Sequence, residues 1–274
     1  MSRNSNLVSA IIPCYNGGEY ISEAVDSIAS QTFKNIEIIV VDDGSDENST
    51  LEILNELDTS KTTIYHKENG GPASARNYGI EKSSGKYILT LDSDDTFAPD
   101  FVEKGLTILD AQPKTGMVTS YVKRFKGQNT SYSQLKGGGV ANFLVKNSAN
   151  ASLLFRYQCW ADAGGYDENI PGFEDWEFFI SVTKNGWYVY SIPEYLFQYR
   201  DLEGSQFDID IKKSPEIINY LVKKHKSLFQ EHIVSVMYEN ELKKNELRES
   251  ELLYKNSRAY NIGNRILKLF RWIR

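Results

Sequence analysis

The sequence predicts an α/β protein in which a mostly parallel, twisted sheet is flanked by helices and followed by a helical C-terminal extension. Over roughly the first hundred residues, apolar runs of strand length alternate with amphipathic stretches of helix length, the pattern of successive βαβ units. Beyond Ser214 the strand pattern gives way, and Glu and Lys interleave from Glu239 to Glu251 as on a solvated helix. With 274 residues, 41% of them hydrophobic, the chain can bury the core of one large domain plus an appendage.

Val8 to Pro13, Ile36 to Val41, Thr62 to His66 and Tyr87 to Leu91 read as strands. Gly18 to Gln31, Glu47 to Leu57 and Pro72 to Glu81 read as the helices between them, and Pro99 opens a further one. From Met117 to about Lys146 the sequence is strand-like but interrupted at Lys126-Gly127 and Gly137-Gly138-Gly139, which predicts a mobile loop spanning Lys123 to Gly139. Gly164-Gly165-Tyr166 then precedes a helix from Glu174 to Asn185 and a strand pattern from Trp187 to Arg200. A composition shift near Asp208 sets the expected boundary between a domain of residues 1–208 and an extension of residues 209–274. The end of the extension, Tyr254 to Arg274, carries Lys255, Arg258, Arg265, Lys268, Arg271 and Arg274 beside Ile262, Ile266, Phe270 and Ile273 at helical spacing. That pattern fits a peripheral membrane contact or a helix packed on protein, as in a homodimer, equally well.

Composition narrows the function. A net charge of -6 argues against a nucleic-acid partner, because neutralising phosphates needs a basic surface. Cys14 and Cys159, the two cysteines, lack metal-ligand spacing and are expected to stay reduced, and the apolar run Leu7 to Ile12 is too short for a signal or membrane segment, so a cytoplasmic address is expected. The three histidines are scattered, which leaves oxygen ligands for any metal.

In open α/β sheets ligands bind beyond the carboxyl ends of the strands. Those ends carry Pro13-Cys14-Tyr15-Asn16, Asp42-Asp43-Gly44-Ser45, Glu68-Asn69-Gly70-Gly71 and Asp92-Ser93-Asp94-Asp95. Three carboxylates within the last four residues repel one another unless a cation joins them, and Mn²⁺ or Mg²⁺ commonly links one or two carboxylates to substrate phosphates. A polar turn with helix-capping aspartates accounts for the same residues taken alone. At the second strand a carboxylate suits a ring N–H of uracil or guanine, with helix capping again the alternative. Neither a P-loop nor a G-x-G-x-x-G follows the first strand, so neutralisation falls to a metal and to Arg76, the best placed cation.

Together, Pro13-x-Tyr15-Asn16, Val41-Asp42-Asp43-Gly44-Ser45, Asn69-x-Gly71-x-x-x-Ala75-Arg76-Asn77, Leu91-Asp92-x-Asp94-Asp95 and Glu174-Asp175-Trp176 resemble the ordered motifs of family 2 glycosyltransferases over roughly residues 6–205. The resemblance implies a GT-A fold, with a nucleotide-binding half at about residues 6–100 and an acceptor-binding half at about 101–208. It implies a nucleotide-sugar donor, here taken as a UDP-sugar, a divalent cation, inversion at the anomeric carbon, and a glycan or lipid-linked saccharide acceptor. It assigns Pro13, Tyr15 and Asp43 to the nucleoside, Arg76 to the nucleotide or its phosphates, and the Asp92-Ser93-Asp94 stretch to the diphosphate. Asp94 and Asp92 become metal ligands, Asp175 the general base, and Glu174 an acceptor contact or a substitute base.

Two other functions compete with this one. A nucleotidyltransferase that makes the nucleotide sugar would show a glycine-rich loop after the first strand, which Pro13-Cys14-Tyr15-Asn16-Gly17-Gly18 does not resemble. A non-catalytic nucleotide-sugar-binding subunit has no need of Glu174-Asp175. The resemblance also implies work on O-antigen, capsule or other polysaccharide at the inner face of the cytoplasmic membrane, where each basic residue of the tail adds roughly 1 kcal/mol of attraction to an anionic leaflet.

Overall fold

The computed structural model describes residues 3–57 and 61–256. Two compact units divide the chain, Met1–Lys226 and Ser227–Arg274. The first begins with β1 (Asn4–Cys14), whose residues Val8 to Ile12 are buried on both faces, as the long apolar run demands of a central parallel strand. Parallel partners lie on either side, β2 (Ile36–Asp42) on one and β4 (Gly85–Thr90) on the other, with β3 (Thr62–His66) beyond β2. Between these strands run α1 (Gly18–Ala29), α2 (Asn48–Leu57) and α3 (Gly71–Lys82).

Side-chain alternation divides the two faces of β1. Val8, Ala10 and Ile12 share a buried cluster with Ile21, Ala24, Val25 and Ile28 of α1. The opposite face carries Ile11, against which α3 packs so closely that a Cβ at Gly79 would lie 2.5 Å from the Ile11 methyl. α1 is thus seated on the sheet by an apolar stripe, as the sequence periodicity predicts, whereas α3 is seated by Ile80 and the small residues Ala73, Ala75 and Gly79.

After the short β5 (Thr96–Phe97) and the helix α4 (Phe101–Ala111), the sheet becomes mixed. β8 (Leu154–Arg156) runs antiparallel to β4, and it also pairs antiparallel with β6 (Thr115–Lys126), which in turn pairs parallel with β9 (Tyr188–Arg200). The order is β3-β2-β1-β4-β8-β6-β9-β5, with β7 (Asn129–Ser133) paired to β6 alone. Chain progression reverses at β1, since β2 and β3 extend to one side and β4 to the other, and this switch point is where such sheets bind ligands.

The segment expected as a mobile loop from Lys123 to Gly139 is instead a hairpin leading to a helix. Lys126 pairs with Asn129 across a two-residue turn in which Gly127 takes φ 57°, so the polar interruption is a tight turn between strands. Gly138 then bridges Val189, and α5 (Val140–Val145) follows. Next come α6 (Tyr157–Ala163) and α7 (Glu174–Thr183), and after β9 the helix α8 (Gln206–Lys224) closes the first unit. The composition boundary near Asp208 falls inside α8, whose buried Asp210, Ile217 and Leu221 belong to the first unit's interior. Its exposed residues mix charged with apolar side chains, Lys212, Lys213 and Glu216 beside Ile209, Ile211 and Ile218, so its composition alone does not separate it from the extension.

The helix α9 (Lys226–Glu231) crosses the division, and α10 (Ile233–Asn256) lies in the second unit. Most of the basic segment from Tyr254 onward lies outside the described residues. Among the described residues no helix is long and apolar enough to cross a membrane.

Candidate active site

The carboxyl ends of β1, β2 and β4 meet at the switch point, and local chemistry fixes each loop there. At the end of β1, Pro13 pairs in register with Val41, and the following Tyr15 is 53% exposed, an aromatic face open at the rim. Asn16 adopts φ 51°, a left-handed conformation that Asn tolerates. There its side-chain oxygen accepts the N–H groups of Asp46 and Glu47. Gly17 leaves room for the acidic loop, since a Cβ on it would come 2.8 Å from Ser93 Oγ.

Asp42 and Asp43 are both buried. Asp42 accepts the Ser45 N–H at 3.0 Å and lies 2.8 Å from His66 Nδ1. Asp43 takes Lys67 Nζ at 2.6 Å and the N–H groups of Gly70 and Gly71, the latter at 2.7 Å. These donors use most of the lone pairs of one carboxylate. Asp43 therefore fastens the loop after β2 to the N-terminus of α3, where a negative charge also suits the helix dipole.

The loop after β4 carries the acidic cluster. Asp92 donates its N–H to Ser152 Oγ at 3.1 Å. Arg200, at the end of β9, donates its backbone N–H to Asp95 Oδ1 at 2.8 Å and its Nε to the Asp94 carbonyl at 3.0 Å, closing the loop from the other side. Burial, and then the Asp92 charge, push Asp94 up to about 6, and burial with Asp94 and Asp92 pushes Asp95 up as well. Asp95 Oδ2 is buried with no hydrogen-bond partner. Among the described residues no three His, Cys, Asp or Glu side chains form a preformed metal cage. Close hard oxygens, on carboxyls whose charge is disfavoured first by burial and then by one another, fit a Mg²⁺- or Mn²⁺-type ion that takes one or two carboxylates and completes its shell with water and phosphate.

Arg76 joins this loop to α7. It lies on α3 at 2% exposure, and its terminal nitrogens donate to Asp92 Oδ1 and to Glu174 Oε1, both at 2.5 Å. Burial alone would lower its pKa, but Asp92 and Glu174 outweigh that effect and raise it well above the ordinary value, so the guanidinium stays charged. Both terminal nitrogens are committed to carboxylates, so Arg76 serves here as a brace between the Asp92 loop and the start of α7.

Next to Glu174, at the start of α7, Asp175 is partly exposed and accepts Asn147 Nδ2 at 2.7 Å. Its dense surroundings, and then the charge of Glu174, push it up to about 7 against the opposing effects of Asn147 and Arg76. A carboxylate that gains and loses its proton near neutrality is poised for general-base work. The two tryptophans nearby serve the framework, Trp176 donating to the Phe143 carbonyl at 2.6 Å and Trp160 to Asn77 Oδ1 at 2.9 Å.

The structure thus gathers Asp92, Ser93, Asp94, Arg76, Glu174 and Asp175 into one linked group. Pro13, Tyr15 and Asp43 stand on the adjoining loops of the same rim. Asn147, Ser152 and Lys67 escape sequence reasoning, because a lone polar residue in a loop carries no pattern until its distant partner is known.

The glycosyl transfer family 2 model, named "Glycosyl transferase family 2", matches residues 9–161, more than half of the chain. The chain belongs to that family. Family 2 relatives include an uncharacterized glycosyltransferase of Rickettsia bellii, 49% identical over 192 residues, which are 65% of this chain and 27% of that protein. Another, from Haemophilus influenzae, is 33% identical over 74% of this chain and 68% of its own length. The glycosyltransferase GlyG of Streptococcus pneumoniae is 44% identical over 62% of this chain and 54% of that protein. This chain spans only about a quarter to a third of the length of the Rickettsia bellii and Rickettsia felis relatives. Among solved structures, S. aureus TarS 1-349 in complex with UDP-GlcNAc superposes with a TM-score of 0.63 at 22% identity, covering 73% of this chain and 60% of that one. Its likeness establishes the GT-A fold that the family 2 motifs imply. Residues 162–226, including α7 and α8, lie beyond the stretch matched by the family 2 model.

Proposed function

We propose that this chain is a metal-dependent, inverting glycosyltransferase that moves a hexose or N-acetylhexosamine from a UDP-sugar to a hydroxyl of a glycan or lipid-linked saccharide. The observation that carries the reading is the Arg76 bridge. It holds the Asp92 loop and the Glu174-Asp175 turn in one place, as a reaction with a leaving diphosphate at one end and an acceptor proton at the other requires. UDP-GlcNAc bound to TarS supports the choice of a UDP-sugar donor.

Asp94, with Asp92, would hold a divalent cation such as Mn²⁺ or Mg²⁺, which supplies stabilisation of negative charge on the diphosphate. Arg200 fixes the backbone of Asp94 and the side chain of Asp95, so the loop is ordered before substrate binds. Exposed Tyr15 offers a face on which a nucleobase can stack. Asp43, at the neighbouring loop, serves the nucleoside by holding the base-binding segment in shape through Lys67, Gly70 and Gly71. Asp175 takes the proton of the acceptor hydroxyl as that oxygen attacks the anomeric carbon from the side opposite the diphosphate. Asn147 orients the carboxylate, while Glu174, tied to Arg76, keeps a negative charge beside it that makes it a stronger base.

UDP release from UDP-glucose, UDP-galactose and their N-acetylated forms, measured with Mn²⁺ and after chelation, tests the proposal. Release from at least one donor that stops on chelation is expected. Absence of release from all four, or nucleotide binding indifferent to the metal, would contradict it. Peripheral attachment to the inner face of a cytoplasmic membrane and a homodimer are further proposals, which rest on the basic tail alone. Sedimentation with anionic vesicles tests the first and light scattering the second.

A further inference from the structure

Glu174 and Asp175 follow a turn whose carbonyl starts α7 but which has no side-chain cap of its own. Phe173 adopts φ 49° and ψ 46° and makes no side-chain cap to α7. A bulky residue in this left-handed region is strained, and such strain persists only where surrounding structure imposes it.

The constraint comes from α8. Asp210 is 3% exposed, and its Oδ2 accepts the Phe173 N–H at 2.9 Å while Oδ1 accepts Gln206 Nε2 at 2.7 Å. A carboxylate, which only accepts, suits two converging donors. Gly172 allows the close approach, since a Cβ there would stand 2.5 Å from Asp210 Oδ1. The Phe173 ring lies 6.1 Å from that of Phe207, also on α8. Further along, Lys224 Nζ and His225 Nε2 both lie 2.8 Å from Glu177 Oε1, one turn into α7. The start of α7 is therefore held at its backbone, its first ring and its first buried acid.

We propose that Asp210 is a positioning residue for glycosyl transfer: from α8 it holds the Gly172-Phe173 turn so that Glu174 stays on Arg76 and Asp175 stays on Asn147. The proposal rests on Asp175 being the base. It gives α8 a part in the reaction although the helix lies outside the stretch matched by the family model.

The test compares Asp210→Ala, Asp210→Asn and Asp175→Asn in the full chain, using the UDP-sugar that releases UDP fastest in the four-donor assay. Asp210→Ala is expected to lower kcat by roughly ten-fold or more, to keep UDP affinity within about two-fold, and to move the acid limb of the kcat profile. Asp210→Asn, whose amide oxygen can still accept the Phe173 N–H, is expected to recover most of the rate. A role in packing alone would lower the melting temperature and leave kcat and the pH profile in place. A folded Asp210→Ala protein with wild-type kcat and pH profile, beside an inactive Asp175→Asn, overturns the assignment of Asp210 alone. Transfer retained by Asp175→Asn overturns the base and the positioning role together. Should Asp210→Ala not fold, Asp210→Ser makes the same measurement, because it keeps a polar group in place but is too short to reach the Phe173 amide.

Discussion

Asp175 must be unprotonated to accept a proton, yet burial and Glu174 push it up to about 7. Turnover is therefore expected to rise with pH through about 7 as the carboxylate loses its proton, and a kcat profile from acid to mildly alkaline pH checks this. A flat profile would separate the rate from Asp175. Asp94, raised to about 6 from an ordinary 3.8, has a second consequence. The folded chain holds this proton more tightly than the unfolded one, so the metal-free protein loses stability from this group as pH rises from about 4 to about 6. Asp94→Asn removes the loss and is expected to stabilise the metal-free protein near pH 7.5 by about 1 kcal/mol. A shift of this size corresponds to at most roughly 3 kcal/mol, reduced here by the group's partial exposure. The same variant should abolish the gain in UDP affinity that Mn²⁺ gives, and thermal melts with and without UDP and Mn²⁺ read both effects. The acids were legible in the sequence because Asp92-Ser93-Asp94-Asp95 stands in order with the other rim motifs; taken alone, a capped polar turn accounts for the cluster as well. Asn147 and Asp210 were not, since their meaning lies in partners 28 and 37 residues away.

The elements that matter most are α3 and α7, joined through a buried guanidinium. Removing one member of a buried ion pair leaves the other charged and unpaired, which typically costs about 3–5 kcal/mol. Arg76→Met is therefore expected to lower unfolding stability by about 3 kcal/mol, measured by urea titration, and to slow transfer as the two motifs separate. A variant of wild-type stability would mean that solvent already satisfies Asp92 and Glu174. One turn further along the same buried face of α3, Gly79→Ala would force a methyl against Ile11 and is expected to cost about 1–3 kcal/mol in the same measurement. Sequence periodicity located α3 and α7 to within a few residues at each end. It misread Lys123 to Gly139, because a two-residue hairpin turn and a disordered break share the same small, polar composition.

For the whole molecule, alternation of strand and helix patterns was enough to specify the parallel half of the sheet and the rim where its loops converge. The mixed half was less legible, since β8 is only three residues long and pairs antiparallel with strands distant in sequence. The domain boundary was displaced for a related reason. Net composition averages over the many exposed residues of α8, whereas the three that tie it to the first unit, Asp210, Ile217 and Leu221, are buried. A chain ending at Lys226 is expected to fold cooperatively and bind UDP, while one ending at Asp208 should lose cooperative unfolding, as circular dichroism melts of the two would report. Asp175→Asn separates nucleotide-sugar binding at Asp92 and Asp94 from acceptance of the acceptor proton by Asp175. UDP affinity in the presence of Mn²⁺ and UDP release from the preferred UDP-sugar are measured on the same preparation. Affinity within about two-fold of wild type, with turnover reduced by roughly a hundred-fold or more, is the expected result; turnover close to wild type would contradict it.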